Sequence, residues 1–282
     1  MELGYFTMDQ SGDWVWNDII PKMPENEQVF SDVWHMEGKD NLIYIGTSNK
    51  LFVWTGENIQ LVHKSDQICH VFKCGGDVCL QDGKAIYIVK GSILEPWLEL
   101  PNPDLITKGL IRRGTQIVLA TEKNGLYFLS DGNWAKSITR LNYYLEQNSI
   151  NTILQTSRAT YIGTARGGLL TLDNRLEDGF TYSIENGLNN NNVLSIFEDS
   201  DENVWIGLDN GIDLILQSSP FSNVHPDAPL NGAGYAAIVF EDQLFLGSSN
   251  GLYQQKQKNP DFQFKPTEFG LIPGTQGQVY SI

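Results

Sequence analysis

The sequence has few basic residues, with 19 Lys and Arg against 34 Asp and Glu and a formal net charge of −15. Proteins bind phosphate backbones through clustered Lys and Arg, so this balance argues against nucleic acid as a partner of this segment. It argues equally against binding to an anionic membrane surface. The composition fits a chain that faces water and small ligands.

Long apolar runs are also lacking. No stretch approaches the ~18 apolar residues that a transmembrane helix needs. Residues 1–5 have neither the basic start nor the apolar core of a signal peptide. The chain starts and stops within segments that have the pattern of strands. We therefore expect residues 1–282 to be a single domain and a fragment of a longer protein.

Cysteine is scarce as well. Cys69, Cys74 and Cys79 are odd in number, which excludes a complete disulfide framework. With His63 and His70 they make a thiol–imidazole cluster whose C-x₄-C-x₄-C spacing is wider than that of most zinc sites. A hairpin would place Cys69 and Cys79 opposite each other, so a metal site or a strained disulfide stays open. Buried thiols packing as small apolar side chains are favoured, and we predict no metal and no cofactor.

Helical periodicity is absent from every long window, whereas Gly, Asn, Asp and aromatic residues dominate, which predicts an all-β chain. The most informative stretch is 186–216. An apolar run at 193–197 leads into an acidic turn at 198–203, and runs at 204–208 and 212–216 flank Asn210 and Gly211. Asn-Gly between two strands favours a tight hairpin, because both central positions prefer a positive φ.

This unit recurs along the chain. Similar turns place a glycine at 125, 168, 211 and 251, at intervals of 43, 43 and 40 residues. A period of ~40–45 residues with four strands per repeat is typical of β-propeller blades. The spacing therefore predicts a seven-bladed β-propeller with four-stranded antiparallel blades, whose strands are lettered A to D from the axis outward.

Six blades follow directly from the pattern. They are predicted at 31–64, 67–100, 106–140, 149–187, 191–224 and 232–270. The seventh is predicted to combine 3–8 and 14–20 as strands C and D with 278–282 as strand A. Strands from both ends of the chain would then close the last blade and cover exposed sheet edges. Strand B of that blade has no counterpart in the sequence.

The fifth predicted blade carries a recognisable pattern of residues. They are Asn192, Val193, Ser195, Ile196, Glu198, Asp199, Asn203, Trp205, Ile206, Gly207 and Gly211. This pattern resembles the two-component regulator propeller repeat of bacterial sensors. The fourth and sixth blades match it in part. Residues 2–6, followed by Asp32, Val33 and Trp34, are similar to a branch in which propellers precede a triple-tyrosine β-sandwich, a membrane helix and a LuxR-type helix-turn-helix output.

The resemblance implies the sensory half of a transmembrane signalling protein that regulates transcription. That half would lie outside the cytoplasm, in the periplasm. Its partners would be a small-molecule ligand, with an oligosaccharide as one candidate, and the downstream β-sandwich and output domains of the same chain. A homodimer is a further candidate assembly.

The propeller argument also predicts a ligand-binding face. Loops from D to A and from B to C gather around the axial channel, and concave sites form where elements converge. The candidate ligand-binding residues on this face are Asp32, Trp34, Arg112, Arg113, Asn151, Arg166, Asn191, Asn192, Asn231 and Tyr235. The three arginines could pair with carboxylate or sulfate groups. Neutralisation of neighbouring Asp and Glu is the favoured alternative for them.

Two acidic turns are candidate sites. The stretch 199–203 has the D-x-D-x-N start of a calcium loop but lacks its glycine and its distal bidentate Glu. A hairpin turn is favoured there, because Asp and Asn bond their own backbone. The stretch 130–134 departs from a sialidase Asp-box and also fits a turn. The histidines, His35, His63, His70 and His225, are scattered, and no catalytic arrangement can be assembled.

Three function classes follow. The first is a non-catalytic binding module, the sensory part of a bacterial transmembrane regulator. The second is a propeller enzyme such as a glycosidase or polysaccharide lyase, which would need paired carboxylates or a Tyr/His/Arg set in the channel. The third is a protein-interaction scaffold, which a large exposed apolar patch would favour. The sequence favours the first.

Overall fold

The structure is a computed structural model that describes residues 2–177, 179–217, 226, 232–256 and 269–282. It divides into two compact units, 1–155 and 156–282. The division falls inside the segment predicted as the fourth blade. The prediction that 1–282 forms a single domain stays a prediction. No helix in the described part of the chain is long and apolar enough to cross a membrane.

The first unit is almost entirely β-structure. Its strands are β1 (Gly4–Met8), β2 (Trp14–Asp18), β3 (Val33–Lys39), β4 (Leu42–Thr47), β5 (Lys50–Trp54), β6 (Ile59–Lys64), β7 (Cys69–Cys74), β8 (Asp77–Asp82), β9 (Ala85–Lys90), β10 (Ile93–Glu99), β11 (Thr107–Arg113), β12 (Gln116–Thr121), β13 (Gly125–Ser130), β14 (Asn133–Lys136) and β15 (Ile150–Gln155). Two 3₁₀ turns, Ile20–Lys22 and Glu25–Glu27, and one helix, α1 (Arg140–Asn148), complete it.

Three successive sets of four antiparallel strands, which we call blades, coincide with the first three predicted repeats. They comprise β3–β6, β7–β10 and β11–β14. The inner strands β7 and β11 run parallel, with Leu110 opposite Cys74, so the second and third blades share one hydrogen-bonded sheet. Strands β1 and β2 form a separate antiparallel pair, with Phe6 opposite Trp16.

The core of this unit lies between neighbouring blades. Because side chains alternate across a strand, each blade buries two faces. One face of the first blade, with Ile45 and Phe52, packs on residues such as Leu3 and Ile19. Its other face packs on the second blade; that cluster contains Tyr44, Leu51, Val53, Cys69, Val71, Val78, Leu80 and Val89. No blade covers its apolar faces alone, so stacking supplies the core.

Helix α1 is an element that the sequence interpretation missed. The Thr139 side chain accepts a hydrogen bond from the Asn142 backbone N–H, as an N-cap residue does. Asn142 is buried, and its Oδ1 accepts the Leu126 N–H at 2.6 Å while its Nδ2 donates to the Ser137 carbonyl at 2.9 Å. The helix is therefore fastened to β13 by a side-chain amide in place of a long apolar face.

The cysteines differ from the expected arrangement. Cys74 and Cys79 form a disulfide with a Cα–Cα distance of 6.0 Å. Cys69 is a free, buried thiol. The β7–β8 register pairs Cys69 with Asp82 and Phe72 with Cys79, so Cys69 and Cys79 do not face each other. The turn at 75–76 sets this register, and it determines which thiols meet.

The second unit continues the same pattern. Its strands are β16 (Thr160–Thr164), β17 (Leu169–Leu172), β18 (Gly179–Tyr182), β19 (Val193–Glu198), β20 (Val204–Leu208), β21 (Gly211–Ile215), β22 (Gly234–Phe240), β23 (Gln243–Ser248), β24 (Gly251–Gln255) and β25 (Phe269–Leu271). Strands β19–β21 confirm the three strands expected around Asn210 and Gly211 to within about one residue. The predicted fourth strand of that blade lies largely outside the described residues.

The predicted strand at 278–282 is not formed. Instead, the Val279 N–H donates to the Ser248 carbonyl at 3.0 Å. The first unit has an equivalent hydrogen bond. There the N–H of Cys69, the first residue of the inner strand β7, donates to the carbonyl of Ser48, which follows β4, at 2.9 Å. Segment 278–282 therefore starts as an inner strand would, but without a neighbour that extends the ladder. The seven-blade count stays a prediction.

Candidate functional site

Four inner strands share a local irregularity near their first residues. Strands β3, β11, β19 and β22 each have a β-bulge against the next strand. The residues skipped in the register are Trp34, Lys108, Leu194 and Tyr235. A bulge re-aims a side chain and is common beside functional sites. Two of these four residues, Trp34 and Tyr235, were predicted as ligand contacts from the sequence.

Small residues face each bulge. The residue that follows the skipped position lies opposite Gly46, Ala120, Gly207 or Gly247. A Cβ at Gly46 would lie 2.7 Å from Val71 Cγ2, and one at Gly207 would lie 2.3 Å from Ser195 Oγ. The small residues noted near the ends of the second strands therefore make room for inner-strand side chains.

In the first unit, Trp34 presents its indole at the start of β7. Its Nε1 donates to Ser48 Oγ at 3.1 Å, and the Ser48 carbonyl accepts the Cys69 N–H. The side chain is nevertheless 65% exposed. An anchored but exposed indole offers a flat apolar surface next to polar groups, which is a common feature of ligand pockets.

Three basic residues, which we call the basic cluster, lie near the starts of successive inner strands: His35 on β3, His70 on β7 and Lys108 on β11. Burial, together with the positive charge of Lys108 and the proximity of His70, lowers the pKa of His35 from 6.5 to about 4. Burial and Lys108 also lower the pKa of His70, while Glu122 acts in the opposite direction. Both imidazoles are therefore neutral at pH 7.

Further along the inner strands, charges are paired. Lys73 of β7 lies 3.3 Å from Glu37 of β3, and burial raises the Glu37 pKa against the effect of Lys73. Lys39 forms an ion pair with Asp77. The basic cluster thus lies near the start of the inner strands, and ion pairs occupy the positions towards their ends.

The predicted contacts Arg112 and Arg113 do not lie with Trp34 and Asp32. They end β11, at the opposite end of the strand from Lys108, which corrects the expectation of a shared face. The reason is that they precede the turn from the first to the second strand of the blade. Arg113 borders an open cavity, whose lining residues are Arg113, Gly114, Thr115, Gln116, Ser130 and Asp131. The Gln155 side chain binds the Arg112 backbone: its Oε1 accepts the Arg112 N–H at 3.1 Å and its Nε2 donates to the Arg112 carbonyl at 2.8 Å. Asp32 is exposed before β3, and Asn151 is half-buried on β15.

The second unit contains the other predicted contacts. Tyr235 is 42% exposed and its ring lies 4.8 Å from that of Tyr280. Arg166 is exposed between β16 and β17. Asn191 Oδ1 accepts the Ile184 N–H at 2.9 Å, and the Asn192 N–H donates to Asn190 Oδ1 at 2.8 Å. Asn231 and His225 lie outside the described residues.

The asparagines at 189–192 make hydrogen bonds that stabilise the loop in which they lie. Besides these bonds, the Asn191 carbonyl accepts the Gly168 N–H. The Asn189 side-chain amide contacts the Asp213 carboxylate. These contacts fit the polar-turn interpretation of the run better than a display of amides to a sugar.

The Asp199 side chain stabilises the hairpin turn in which it lies. Asp199 Oδ1 accepts the backbone N–H groups of Asp201 and Asn203, each at 2.9 Å, and Oδ2 accepts Trp205 Nε1 at 2.8 Å. The Trp205 hydrogen bond is the main cause of a lowered Asp199 pKa. Asp9 and Asp173 bind the N–H groups two and four residues on in the same way. A turn stabilised by the aspartate side chain accounts for the contacts of Asp199, Asp9 and Asp173.

The remaining titratable groups bear on metal binding and on nucleophilic catalysis. No group of three or more His, Cys, Asp or Glu residues within the described ranges could hold a metal ion. His63 Nε2 and Ser65 Oγ both contact the Asp82 carboxylate at 2.8 Å. A catalytic triad would need the imidazole between the hydroxyl and the carboxylate, so this set links two blades without activating the serine.

The basic cluster is the part of the site that sequence reasoning missed. Its members lie 35 and 38 residues apart, on successive inner strands. His35 lies opposite Gly46, and Lys108 is skipped in the register just before Gly109 meets Ala120. His70 lies opposite Gln81 on a strand without a bulge, so the bulge signal finds His35 and Lys108 but not His70.

Comparison with known proteins supports one part of the chain directly. Residues 187–210 match the family model described as two component regulator propeller, which confirms the resemblance noted for the same residues. No curated protein matches the chain.

Several solved structures are similar in fold. The extracellular domain of a putative one component system from B. thetaiotaomicron is 18% identical, with 84% of this chain and 34% of that chain covered and a TM-score of 0.49. YCF48 bound to D1 peptide is 14% identical, with 71% and 68% covered and a TM-score of 0.50. The β-propeller domain of Cps50 (Swd1) from Myceliophteria thermophila is 8% identical, with 80% and 83% covered and a TM-score of 0.47. The chain spans 34% of the length of the first.

The class that these observations define is an all-β protein. Within it, residues 187–210 match the family model described as two component regulator propeller.

Proposed function

We propose that this chain is the extracytoplasmic, ligand-binding sensory domain of a bacterial transmembrane signalling regulator, without catalytic activity. The observation that carries the proposal is the two component regulator propeller repeat at residues 187–210. Four inner strands carry a β-bulge at the same position, and each bulge presents one side chain in the same way. These side chains supply a surface suited to ligand binding.

The proposal includes a closed, seven-bladed propeller. Its support is the bond from Val279 to the Ser248 carbonyl, which repeats in the second unit the relation of Cys69 to Ser48 in the first. The β1–β2 pair would supply outer strands of the same last blade. Closure by both ends of the chain covers edges that would otherwise pair with other chains.

A periplasmic location is part of the proposal. The Cys74–Cys79 disulfide supports it, because disulfides persist in oxidising compartments and are rare in the cytosol. The acidic net charge of −15 fits a domain that faces water.

The proposed mechanism is a shift between two arrangements. A ligand can drive such a shift only if it binds one arrangement of the propeller, or of a homodimer, better than the other. The downstream β-sandwich and output domains of the same chain would transmit the difference to transcription.

A thermal-shift screen against neutral and acidic oligosaccharides and divalent metals tests the proposal. A ligand at ~100 times its Kd adds about 2.7 kcal/mol, which raises the Tm of a domain of this size by a few degrees. Trp34→Ala should reduce the shift of a ligand that binds the first unit, and Tyr235→Ala should reduce that of a ligand that binds the second unit. Tyr143→Ala is a matched control, because Tyr143 is an exposed aromatic residue on α1. A cooperative melt with no shift in any well would contradict the proposal.

The absence of catalysis is tested on the same mixtures. Chromatography of each oligosaccharide after prolonged incubation should recover it unchanged. A product whose formation stops in one of the variants would move the assignment to a propeller enzyme.

A further inference from the structure

The hairpin of β1 and β2 has an open strand edge. Among the described strands, β1 pairs with β2 alone. The Ile19 N–H donates to the Leu3 carbonyl at 2.9 Å, so the residue pair just before the hairpin's ladder is hydrogen-bonded. Because hydrogen-bonded and non-hydrogen-bonded pairs alternate in an antiparallel ladder, the backbone N–H and C=O groups of Phe6 and Met8 point away from β2. These groups can bond to a further strand.

This edge also lacks the features that usually protect one. Exposed edges commonly carry charged residues, proline or a β-bulge, which prevent pairing with other chains. Strand β1 reads GYFTM, without charge or proline, and its register with β2 is unbroken from Gly4 to Met8. The outer strand β10 differs, because it contains Glu95 and Pro96 and its register shifts after Pro96. The edge of β1 is therefore suited to accept a strand.

An uncovered apolar strip of the first blade lies beside the hairpin. Tyr5 of β1 packs on Trp54 of β5, with ring centroids 6.2 Å apart. On the same face, Trp54 lies opposite Ile43 of β4, which lies opposite Gly38 of β3. Ile43 is 38% exposed, and Met36 on the same face of β3 is 53% exposed. A Cβ added to Gly38 would have nothing within 4 Å. We call Met36, Gly38 and Ile43 the apolar strip.

The open edge of β1 faces this strip. A strand over β4 would cover Ile43, and since Ile43 is exposed, β2 lies on the far side of β1. Neighbouring strands in a sheet lie about 4.7–4.9 Å apart. A strand added to β1 at this spacing would lie over β4 and contact the apolar strip, while its backbone bonds to Phe6 and Met8.

Two features define the segment that fits. The second strands of the blades are uncharged and have a small residue near their ends, since β4 reads LIYIGT and β12 reads QIVLAT. Carboxylates flank the open edge, with Glu2 before β1 and Asp9 after it, and residues 2–21 contain no Lys or Arg. Charge complementarity therefore favours basic residues at both ends of an uncharged strand.

We propose that the edge of β1 and the apolar strip form a docking groove for an extended segment of a partner protein, uncharged along the five residues of β1 and with Lys or Arg at both ends. The segment adds to β1 as an antiparallel strand. Main-chain hydrogen bonds supply affinity, and alternate side chains that contact the strip supply selectivity. This docking is additional to the proposed ligand-binding function and does not depend on it.

Titration calorimetry of the whole chain with a synthetic peptide tests the groove. The probe peptide has the sequence of residues 42–47 between two lysines, and it should bind. Proline at two adjacent central positions removes a donor that faces β1 in either register, and glutamates in place of the lysines reverse the flanking charge. Each change should weaken binding about tenfold or more. Hydrogen exchange of the Phe6 and Met8 amides should slow when the probe binds.

Substitutions in the chain then locate the docking. Phe6→Pro removes the outward N–H but keeps the ladder to β2, because an edge strand tolerates proline where its donor faces solvent. Phe6→Val is the matched comparison, since it loses the ring but keeps the donor. Probe binding should be about tenfold weaker in Phe6→Pro than in Phe6→Val. Met36→Ser should also weaken it, whereas Ile93→Ser, at an exposed residue of β10, should not. Each variant must keep a cooperative melt.

Three results would overturn the proposal: no binding of the probe, equal binding of the proline or glutamate peptide, or undiminished binding by Phe6→Pro. A dimer that forms without peptide and protects the Phe6 and Met8 amides would assign the edge to a second copy of the chain. The proposed partner strand would then be wrong.

Discussion

Gly46 of β4 lies directly against Val71 of β7, so that a Cβ at position 46 would come within 2.7 Å of Val71 Cγ2. This contact brings the inner strand of the second blade against the first blade, beside the bulge that carries Trp34. The absence of a side chain at one position therefore sets how closely two blades approach.

Gly46→Ala should destabilise the protein by about 1–3 kcal/mol, because overpacking of a tight contact shifts side chains and backbone. Urea unfolding measures the effect. Gly38→Ala is the control, since Gly38 lies on the paired strand of the same blade with nothing within 4 Å of an added Cβ. Equal stabilities for the two variants would contradict the packing argument.

The disulfide should contribute modestly to stability. Cys74 and Cys79 close a loop of only about six residues, for which chain entropy gives about 2 kcal/mol. The double substitution Cys74→Ser and Cys79→Ser should lower the free energy of unfolding by about that amount under oxidising conditions.

A reducing agent should produce a similar loss in the wild type and none in the double variant. Cys69→Ala, which removes the free thiol, should remain sensitive to the reducing agent. Insensitivity of the wild type would show that the bond is not formed.

Asp199 should prove structural. Asp199→Ala removes the acceptor of two backbone N–H groups and of the Trp205 indole, so the Tm should fall and Trp205 fluorescence should change. Asp209→Ala, which changes an exposed acidic residue in another turn of this sheet, should have little effect.

Calcium gives the complementary readout for this turn. Addition of calcium should leave the Tm of the wild type unchanged, because the Asp199 oxygens are occupied by turn donors. A calcium-dependent rise in Tm that Asp199→Ala abolishes would restore the metal interpretation.

Asn142 should be a strong determinant of stability. Asn142→Ala leaves the buried Leu126 N–H without its acceptor, which costs about 1–3 kcal/mol. Chemical denaturation checks this, with the exposed Gln147→Ala on the same helix as control. A loss no larger than that of the control would mean that α1 is held by other contacts.

His35 should make stability depend on pH. Its pKa is lowered to about 4 in the folded protein and is near 6.5 when unfolded. The unfolded chain therefore binds more protons between these values, and the free energy of unfolding falls as the pH drops from about 6.5 to about 4. The fall attributable to His35 is up to about 3 kcal/mol.

Unfolding curves across this range measure the effect, and His35→Asn should flatten the profile. Parallel profiles for the wild type and the variant would contradict the burial argument.

Local patterns predicted the blades well. Apolar alternation and glycine turns are short-range signals, and they located the strands around Asn210 and Gly211 and the three blades of the first unit. Helix α1 was missed because it is only nine residues long, so that Leu141, Tyr144 and Leu145 give a single turn of helical apolar spacing. The Cys74–Cys79 pair was missed because a shift in a two-residue turn changes every cross-strand partner.

The candidate site was harder to predict than the fold. Trp34 and Tyr235 stay predictions from their positions before or within inner strands, and the structure places both at β-bulges. The bulges were not predicted, because they depend on the register between two strands. Arg112 and Arg113 were misplaced because a strand has two ends, and composition alone does not say which end faces the loops from D to A.

The bulges on the inner strands have a consequence for how such a protein diversifies. One backbone irregularity presents an indole, an ammonium group, an isobutyl group and a phenol at corresponding positions of four blades. The small residue opposite each bulge holds the geometry, so the identity of the presented side chain is uncoupled from the fold. Exchange of these four side chains would alter what the protein recognises while its blades stay as they are.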